Sequence, residues 1–469
     1  MTTTQIVAIP LLLVLLWLML QVVKRPLIGL GVLLSATVLF LHYEAGPPSM
    51  FFQSVVYDNF NKSLGIPGLV INPPEILLSL ISLGWLLQAL AGKLPGRPLR
   101  FVSILGIAWF CVVAFAGLWG YQSGGSGKIG LWLLRPVAYF LLTGFLTYQL
   151  VRTPQQAKWL LMVVLVCIGI RTIGTVVQWW THRLDAGGWE RYAAHEDTSI
   201  ALYLFWIAFG AFFMSVPQRL RTVLYVVAPI ALLAIIFNDR RVNFGTMLIG
   251  CVLIGLAMPR RGLARRANYL LIGGLVFMLY LGVAMFGPDN ALTRPVRGLK
   301  TALVTEVRGR FTDTSSEYRK WERYDLIQTI RAYPLLGAGL GVEYLQPIPL
   351  PDLGFQYYVY IPHNQVLGTH ALMGPHAYFI LLFFFFVLFT QLLTYHRRLE
   401  VDWHRLLALA AAASVVNWLI VGYYDMQLFY FRNSIFMGAV VALPAALMQW
   451  QAEQEVSRLV TADVDTAHR

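Results

Sequence analysis

PHAYFILLFFFFVLFTQLLTY, residues 375–395, runs for 21 residues without an Asp, Glu, Lys or Arg. At 1.5 Å per residue a helix of that length rises roughly 30 Å, enough to cross the hydrocarbon core of a bilayer, about 30 Å thick. Similar runs recur on both sides of it. Reading outward, the apolar segments predict spans at 5–23, 26–43, 75–92, 101–121, 129–150, 157–178, 199–216, 222–237, 242–258 and 269–286 before it, and at 405–423 and 427–449 after it. Apolar residues make up 58% of the 469 positions and charged residues only 13%, with a mean hydropathy of +0.63, whereas a soluble domain carries about 25% charged residues. The expected fold class is all-α, a polytopic membrane protein with about 12–13 transmembrane helices and one large helical loop.

Lys and Arg collect in alternate connections: Lys24/Arg25, Lys93/Arg97/Arg100, Arg152/Lys158, Arg219/Arg221, Arg260/Arg261/Arg265/Arg266 and Arg397/Arg398/Arg405. Short loops rich in these residues face the cytoplasm. The reading therefore puts the N-terminus outside and the tail after about residue 450 inside. The first run lacks a basic leader and a small-residue cleavage site, so it is expected to stay as the first span. Most of the net charge of +13 follows from this bias, and no nucleic acid or acidic partner is needed to explain it.

Three regions follow: an N-terminal transmembrane bundle at 1–286, a loop or cap at 287–374, and C-terminal transmembrane helices with a short tail at 375–469. The loop falls on the outer side and is nearly neutral, with nine Lys/Arg against eight Asp/Glu. Within it, EYRKWERYDLIQTIRAY (317–333) places Trp321, Tyr324 and Ile327 at helical spacing, with Leu326 and Ile330 beside them; Pro334 stops that helix. Gly337, Gly339 and Gly341 of PLLGAGLG then predict a turn. Cys111, Cys167 and Cys251 all sit inside apolar spans and form no disulfide framework or metal-ligand spacing.

Arginine inside a span costs about 2.5–3.5 kcal/mol on insertion scales, so its positions are informative. Arg135 and Arg171 lie about six and seven residues below the outer ends of their helices. Arg240 and Arg241 occupy an outer turn. Arg432 is about one and a half turns down the last helix, with Asp425 just above it. All five reach the outer-leaflet level from different parts of the chain, which predicts a basic cavity there. The plainer reading is that each snorkels or pairs with a carboxylate or a carbonyl. Guanidinium stays charged and grips phosphate oxygens with a planar fork of donors.

A second signal is HNQVLGTHALMG (363–374), just before the span that follows the loop. His363 and Asn364 stand where the chain re-enters the membrane. Histidine accepts a proton near neutral pH, while a surface histidine with Asn364 as helix cap is the structural alternative. His370 and His376 compete for any such role. The aromatic stretches FQYYVYIPH (355–363) and Trp179–Trp180 suit stacking on sugar rings or an interfacial belt. GAGLG lacks the strand–turn–helix frame of a dinucleotide site.

The segments NDRRVNFG (238–245), KWERYDLIQTIRAYPLLGAGLG (320–341) and HNQVLGTHALMG (363–374), in this order around a large outer loop, resemble the O-antigen ligase and O-antigen polymerase superfamily. The resemblance covers about 225–450. It departs at Asp239-Arg240-Arg241, where the family usually has a small residue before a single arginine; Arg241 is the favoured equivalent, since Phe244 falls at the family's bulky position.

That resemblance implies a metal-independent, cofactor-free glycosyltransferase of the bacterial inner membrane with its site facing the periplasm. The implied partners are an undecaprenyl-diphosphate-linked glycan donor, transferred en bloc, and a glycan or lipid A core acceptor. Carried onto this chain, Arg241, with Arg240, Arg319 and Arg323 as further candidates, would hold the diphosphate. Arg135, Arg171 and Arg432 would line the same cavity, and His363, beside Asn364, would orient or deprotonate the acceptor hydroxyl. A polyprenyl tail would require a lateral cleft between spans. The competing class is a transporter or flippase for an anionic lipid-linked solute, which should show inverted repeats or charges near the midplane; neither is evident in the sequence.

Overall fold

The computed structural model describes residues 16–42, 53–60, 71–182, 194–238, 241–257, 314–351, 357–425 and 427–467, with a few positions between 275 and 283. It is an all-helical membrane protein. Thirteen helices are described: α1 (Leu16–Lys24), α2 (Pro26–Leu39), α3 (Pro73–Leu90), α4 (Phe101–Gln122), α5 (Gly127–Leu150), α6 (Pro154–His182), α7 (His195–Ala211), α8 (Gln218–Phe237), α9 (Arg241–Ala257), α10 (Thr314–Ala332), α11 (Gln365–Arg398), α12 (Asp402–Tyr424) and α13 (Phe431–Ala467). The only strands among the described residues are a two-residue parallel pairing of Leu41–His42 with Gln53–Ser54.

Eight of these helices (α3, α4, α5, α6, α8, α11, α12 and α13) are long and apolar enough to cross a membrane, or nine if α1 and α2 together count as one. The first pair, expected as two spans, is bent by 116°. Pro26 opens α2 with no N–H to donate and disfavours a helical conformation at Arg25, so the helix cannot run through. The expected spans at 199–216 and 242–258 correspond to α7 and α9, which have only 17 residues each. The expected span at 269–286 lies almost wholly outside the described residues.

Contacts at the helix termini give the bundle two chemically distinct ends. At one end Arg97 bonds Glu453 (3.0 Å) and the carbonyls of Tyr148 and Val151, tying together the α3–α4 connection, the end of α5 and α13. This is the basic end. Through the middle, α5 and α13 approach closely at Gly144 and Gly438: a Cβ on Gly438 would lie 2.3 Å from the Phe140 carbonyl. Such small-residue contact lets backbones pack where lipid supplies no hydrophobic drive.

The opposite end carries the cap. Helix α10 stops at Ala332, before Pro334. The glycine-rich turn then threads between spans: the N–H of Ala338 and of Gly339 donate to Ala371 and Leu372 of α11, and that of Leu340 donates to Ala116 of α4. Gly339 has φ +100°, and a Cβ there would sit 2.3 Å from Gly120 Cα. Only glycine accepts both that conformation and that approach. Helix α11 kinks where the turn docks, at Gly374 (φ 83°) followed by Pro375. The first span read from sequence after the loop thus begins at this kink, and the helix itself starts ten residues earlier, at Gln365.

The buried face of α10 differs from the stripe its apolar residues suggest. Trp321 and Tyr324 are exposed, whereas Tyr318, Glu322, Asp325, Leu326 and Thr329 are buried. The polar members hold the following segment in place. Asp325 accepts from the Ile348 N–H (3.2 Å) and Thr329 from the Leu345 N–H (2.9 Å).

Candidate functional site

Glu322 is the centre of the cap's contact with the bundle. One turn beyond Tyr318 on α10, it faces the chain just before α11 with a side chain only 1% exposed. Its Oε1 accepts from the His363 N–H (2.9 Å) and its Oε2 from the Asn364 N–H (3.3 Å). The same Oε1 lies 3.0 Å from His363 Nδ1. An ionised carboxylate can only accept, so with it a neutral imidazole would carry its proton on Nδ1 and its lone pair on Nε2. The His363 side chain is 17% exposed, hence reachable, while its ring stands edge-on to Tyr318 with centroids 5.2 Å apart.

Burial, reinforced by the charge of Glu322, pushes the Tyr318 hydroxyl upward in pKa, so it stays protonated beside the imidazole. Asn364 caps α11, its side chain accepting from the Leu367 N–H (2.9 Å), as a capping asparagine should. Capping and positioning of His363 therefore coexist. His370 lies along α11 against Tyr378, with ring centroids 5.5 Å apart.

A second cluster sits at the same end of the bundle. Asp197, in the first turn of α7, takes two N–H groups of Arg171 (3.1 and 2.7 Å) on one oxygen and Arg432 (2.7 Å) on the other. Glu196 adds a contact of 3.6 Å to Arg432, which also donates to the carbonyls of Thr37 and Val38. Two guanidinium groups thus face two carboxylates in a buried site. Burying ions is tolerable when each is paired and hydrogen-bonded, and Asp197 lies where the helix dipole favours negative charge. The structure places the acidic partners of Arg432 on α7, at Glu196 and Asp197.

Arg135 has a carboxylate too. Its Nε lies 3.1 Å from Glu75, and its Nη1 donates to Asn59 (3.2 Å). Arg135, Arg171 and Arg432 therefore fall at one end, as the sequence implied, with Arg171 and Arg432 meeting on a single carboxylate. Their charge is matched by acids instead of lining an open basic cavity.

Arg240 lies outside the described residues. Arg241 opens α9, and its side chain is likewise outside them. Asn238, at the end of α8, is buried, and its side-chain amide donates to Thr198 (2.7 Å) and to the Ala194 carbonyl (3.2 Å), both at the start of α7. Arg319 and Arg323 sit one helical turn apart on the exposed face of α10, and Glu322 points the other way. The two clusters are joined through Gln365 at the start of α11, which accepts from the Leu428 N–H in the turn leading to Arg432.

Sequence reading missed Glu322, Asp197, Glu196 and Glu75. A signal existed for Glu322 alone, because it lies in register with Tyr318, Asp325 and Thr329 at helical spacing. Of the aromatic candidates, Trp179 stacks on Phe237 (3.9 Å) and Trp180 is exposed. Tyr357 leans on Trp132, with centroids 6.1 Å apart, and residues 355–356 lie outside the described residues.

Residues 226–382 match the family described as O-antigen ligase. No curated protein matches the chain. The matched segment is about a third of the chain. It holds Arg240, Arg241, Arg319, Glu322, Arg323, His363 and Asn364, and excludes Arg135, Arg171 and Arg432. The resemblance of the three sequence segments to the O-antigen ligase and polymerase superfamily holds over this window.

Proposed function

We propose, from this similarity to the O-antigen ligase and polymerase superfamily, that the chain transfers a glycan from undecaprenyl diphosphate to an acceptor sugar hydroxyl at the periplasmic face of the inner membrane. The observation that carries the reading is the contact between Glu322 and His363 Nδ1 just before α11, within the matched segment. In this scheme the acceptor hydroxyl attacks the anomeric carbon of the donor glycan. Its proton passes to His363 Nε2 as the bond to the diphosphate oxygen breaks, and undecaprenyl diphosphate leaves as an anion.

Guanidinium groups suit that leaving group, since they stabilise the negative charge developing on it. Arg241 and Arg240, which follow Asn238 in the sequence, and Arg319 and Arg323, exposed on α10, are the proposed diphosphate ligands. Arg135, Arg171 and Arg432, matched by Glu75, Asp197 and Glu196, tie α5 to α3 and both α6 and α13 to α7. Asn364 sets the start of α11 and so the position of His363. The scheme moves charge and protons through side chains of this chain alone, with no metal or cofactor.

The test is transfer in a strain lacking the chromosomal gene, read as the length and attachment of surface glycan. Arg241→Ala and His363→Ala should each insert normally and abolish product. Unchanged product ladders with either variant would remove that residue from the scheme. In the deletion strain, loss of chain length marks a polymerase, and free lipid-linked polymer of normal length marks a ligase.

A further inference from the structure

A cavity of about 460 Å³ opens between α4, α5, α11 and α13 at the basic end of the bundle. It lies far from the site described above. Phe384, the residue on its wall that comes first along α11, is 19 residues beyond Gln365 and past the kink at Gly374. Its walls are apolar, among them Val102, Ile107, Phe145, Phe384, Leu388 and Ala445. Its volume falls within the range of about 300–1,000 Å³ typical of ligand sites.

Among the described residues, Arg100 is the one charged side chain lining this cavity. It differs from the arginines that tie the bundle together. Arg97, earlier in the same connection, bonds Glu453, and Arg135, Arg171 and Arg432 each face a carboxylate. Arg100 meets only neutral groups among the described residues: Tyr395 OH at 2.8 Å, Gln449 Oε1 at 3.0 Å and Tyr148 OH at 3.5 Å. The faces of Tyr148 and Tyr395 flank its guanidinium, 5.7 and 5.3 Å from ring centre to Cζ. A guanidinium has five N–H donors, so two remain after these contacts. The side chain is thereby held rigidly at the foot of an apolar cleft, with its charge unmatched.

We infer that this cleft binds an anionic phospholipid of the leaflet at the basic end, its phosphate on Arg100 and an acyl chain between α4, α5 and α11. Two features select that occupant. A groove between spanning helices is filled by hydrocarbon, and basic pockets between such helices at the basic side bind anionic headgroups. The unmatched positive charge favours a net anionic lipid over a zwitterionic one, whose own ammonium would face the same guanidinium. The lipid would wedge α4 and α5 against α11, the helix that carries His363 at its far end.

The experiment is native mass spectrometry of the full chain in detergent, titrated with phosphatidylglycerol and with phosphatidylcholine of identical acyl chains. The wild-type protein should take up one phosphatidylglycerol with a preference of about fivefold, the effect expected of one basic residue at the membrane surface. Arg100→Gln should bring that preference close to unity, and Arg100→Lys should restore most of it. Ser103→Trp, which fills the cleft and leaves Arg100 in place, should weaken uptake of both lipids. Equal uptake of the two lipids by the wild type would overturn the inference, as would a preference unchanged in Arg100→Gln. Stronger retention of polyprenyl phosphate than of phosphatidylglycerol would also overturn it, and so would a lipid-free dimer as the stable species.

Discussion

Replacing Glu322 by Gln is the sharpest probe of the His363 arrangement, because it conserves shape and removes charge. In the native protein the carboxylate accepts three contacts, from two backbone N–H groups and from Nδ1. A glutamine oxygen can keep the 2.9 Å bond to the His363 N–H. In that orientation the oxygen also keeps the contact with Nδ1, and the amide is set against the Asn364 N–H; turned over, the amide is set against the His363 N–H and Nδ1, and the imidazole must move its proton to Nε2. In both orientations the carboxylate charge that would support the imidazolium formed on proton transfer is gone.

The loss of a positioned general base is expected to lower the transfer rate by about 10²–10⁴-fold, or about 2.7–5.4 kcal/mol in the barrier. Stability should change much less, by about 1–3 kcal/mol for one buried group left without its best partner. Glu322→Ala, in contrast, leaves two buried N–H groups without an acceptor and should cost about 2–6 kcal/mol by the same scale. The assay pairs product ladders from surface glycan with melting of purified protein in detergent. Residues acting as one unit are non-additive, so the double variant Glu322→Gln/His363→Ala should transfer no less than His363→Ala alone. Full activity in Glu322→Gln would refute the role given to the Glu322 carboxylate, and so would a double variant whose defects multiply.

Asp197→Asn should destabilise the bundle by about 3–5 kcal/mol, since it leaves Arg171 and Arg432 buried with a single remaining acid nearby; an unchanged melting temperature in detergent would contradict the cluster's role. Gly339→Ala should cost about 1–3 kcal/mol through overlap with Gly120, whereas Gly92→Ala, at φ +69° in open space, should cost only about 1 kcal/mol. Equal losses would mean that backbone strain and not close approach governs the docking turn. Cysteine introduced at Leu345, with Cys111, Cys167 and Cys251 replaced, should react with an impermeant maleimide on intact cells, and cysteine at Lys93 only after permeabilisation. The reverse pattern would invert the orientation drawn from the basic loops.

That this chain lives in a bilayer, roughly where its helices run, and which loops share a side could all be read along the amino-acid sequence, because these properties are local. A run such as 375–395 cannot leave its peptide groups unbonded in lipid, so it must be helical wherever it ends up. The HN and glycine-rich segments were legible too, because backbone demands such as a cap at Asn364 or a positive φ at Gly339 select particular residue types. Which side chains face one another emerged only when the helices were packed. Glu322 is 41 residues from His363, and Asp197 is 26 residues from Arg171 and 235 from Arg432. Coulombic pairing depends on distance through space, and no periodicity along the chain records it. Arg135, Arg171 and Arg432, expected to line a cavity, are matched by acids from other helices, while Arg100, which meets only neutral groups among the described residues, sits in a basic loop where its sequence neighbours made it look ordinary.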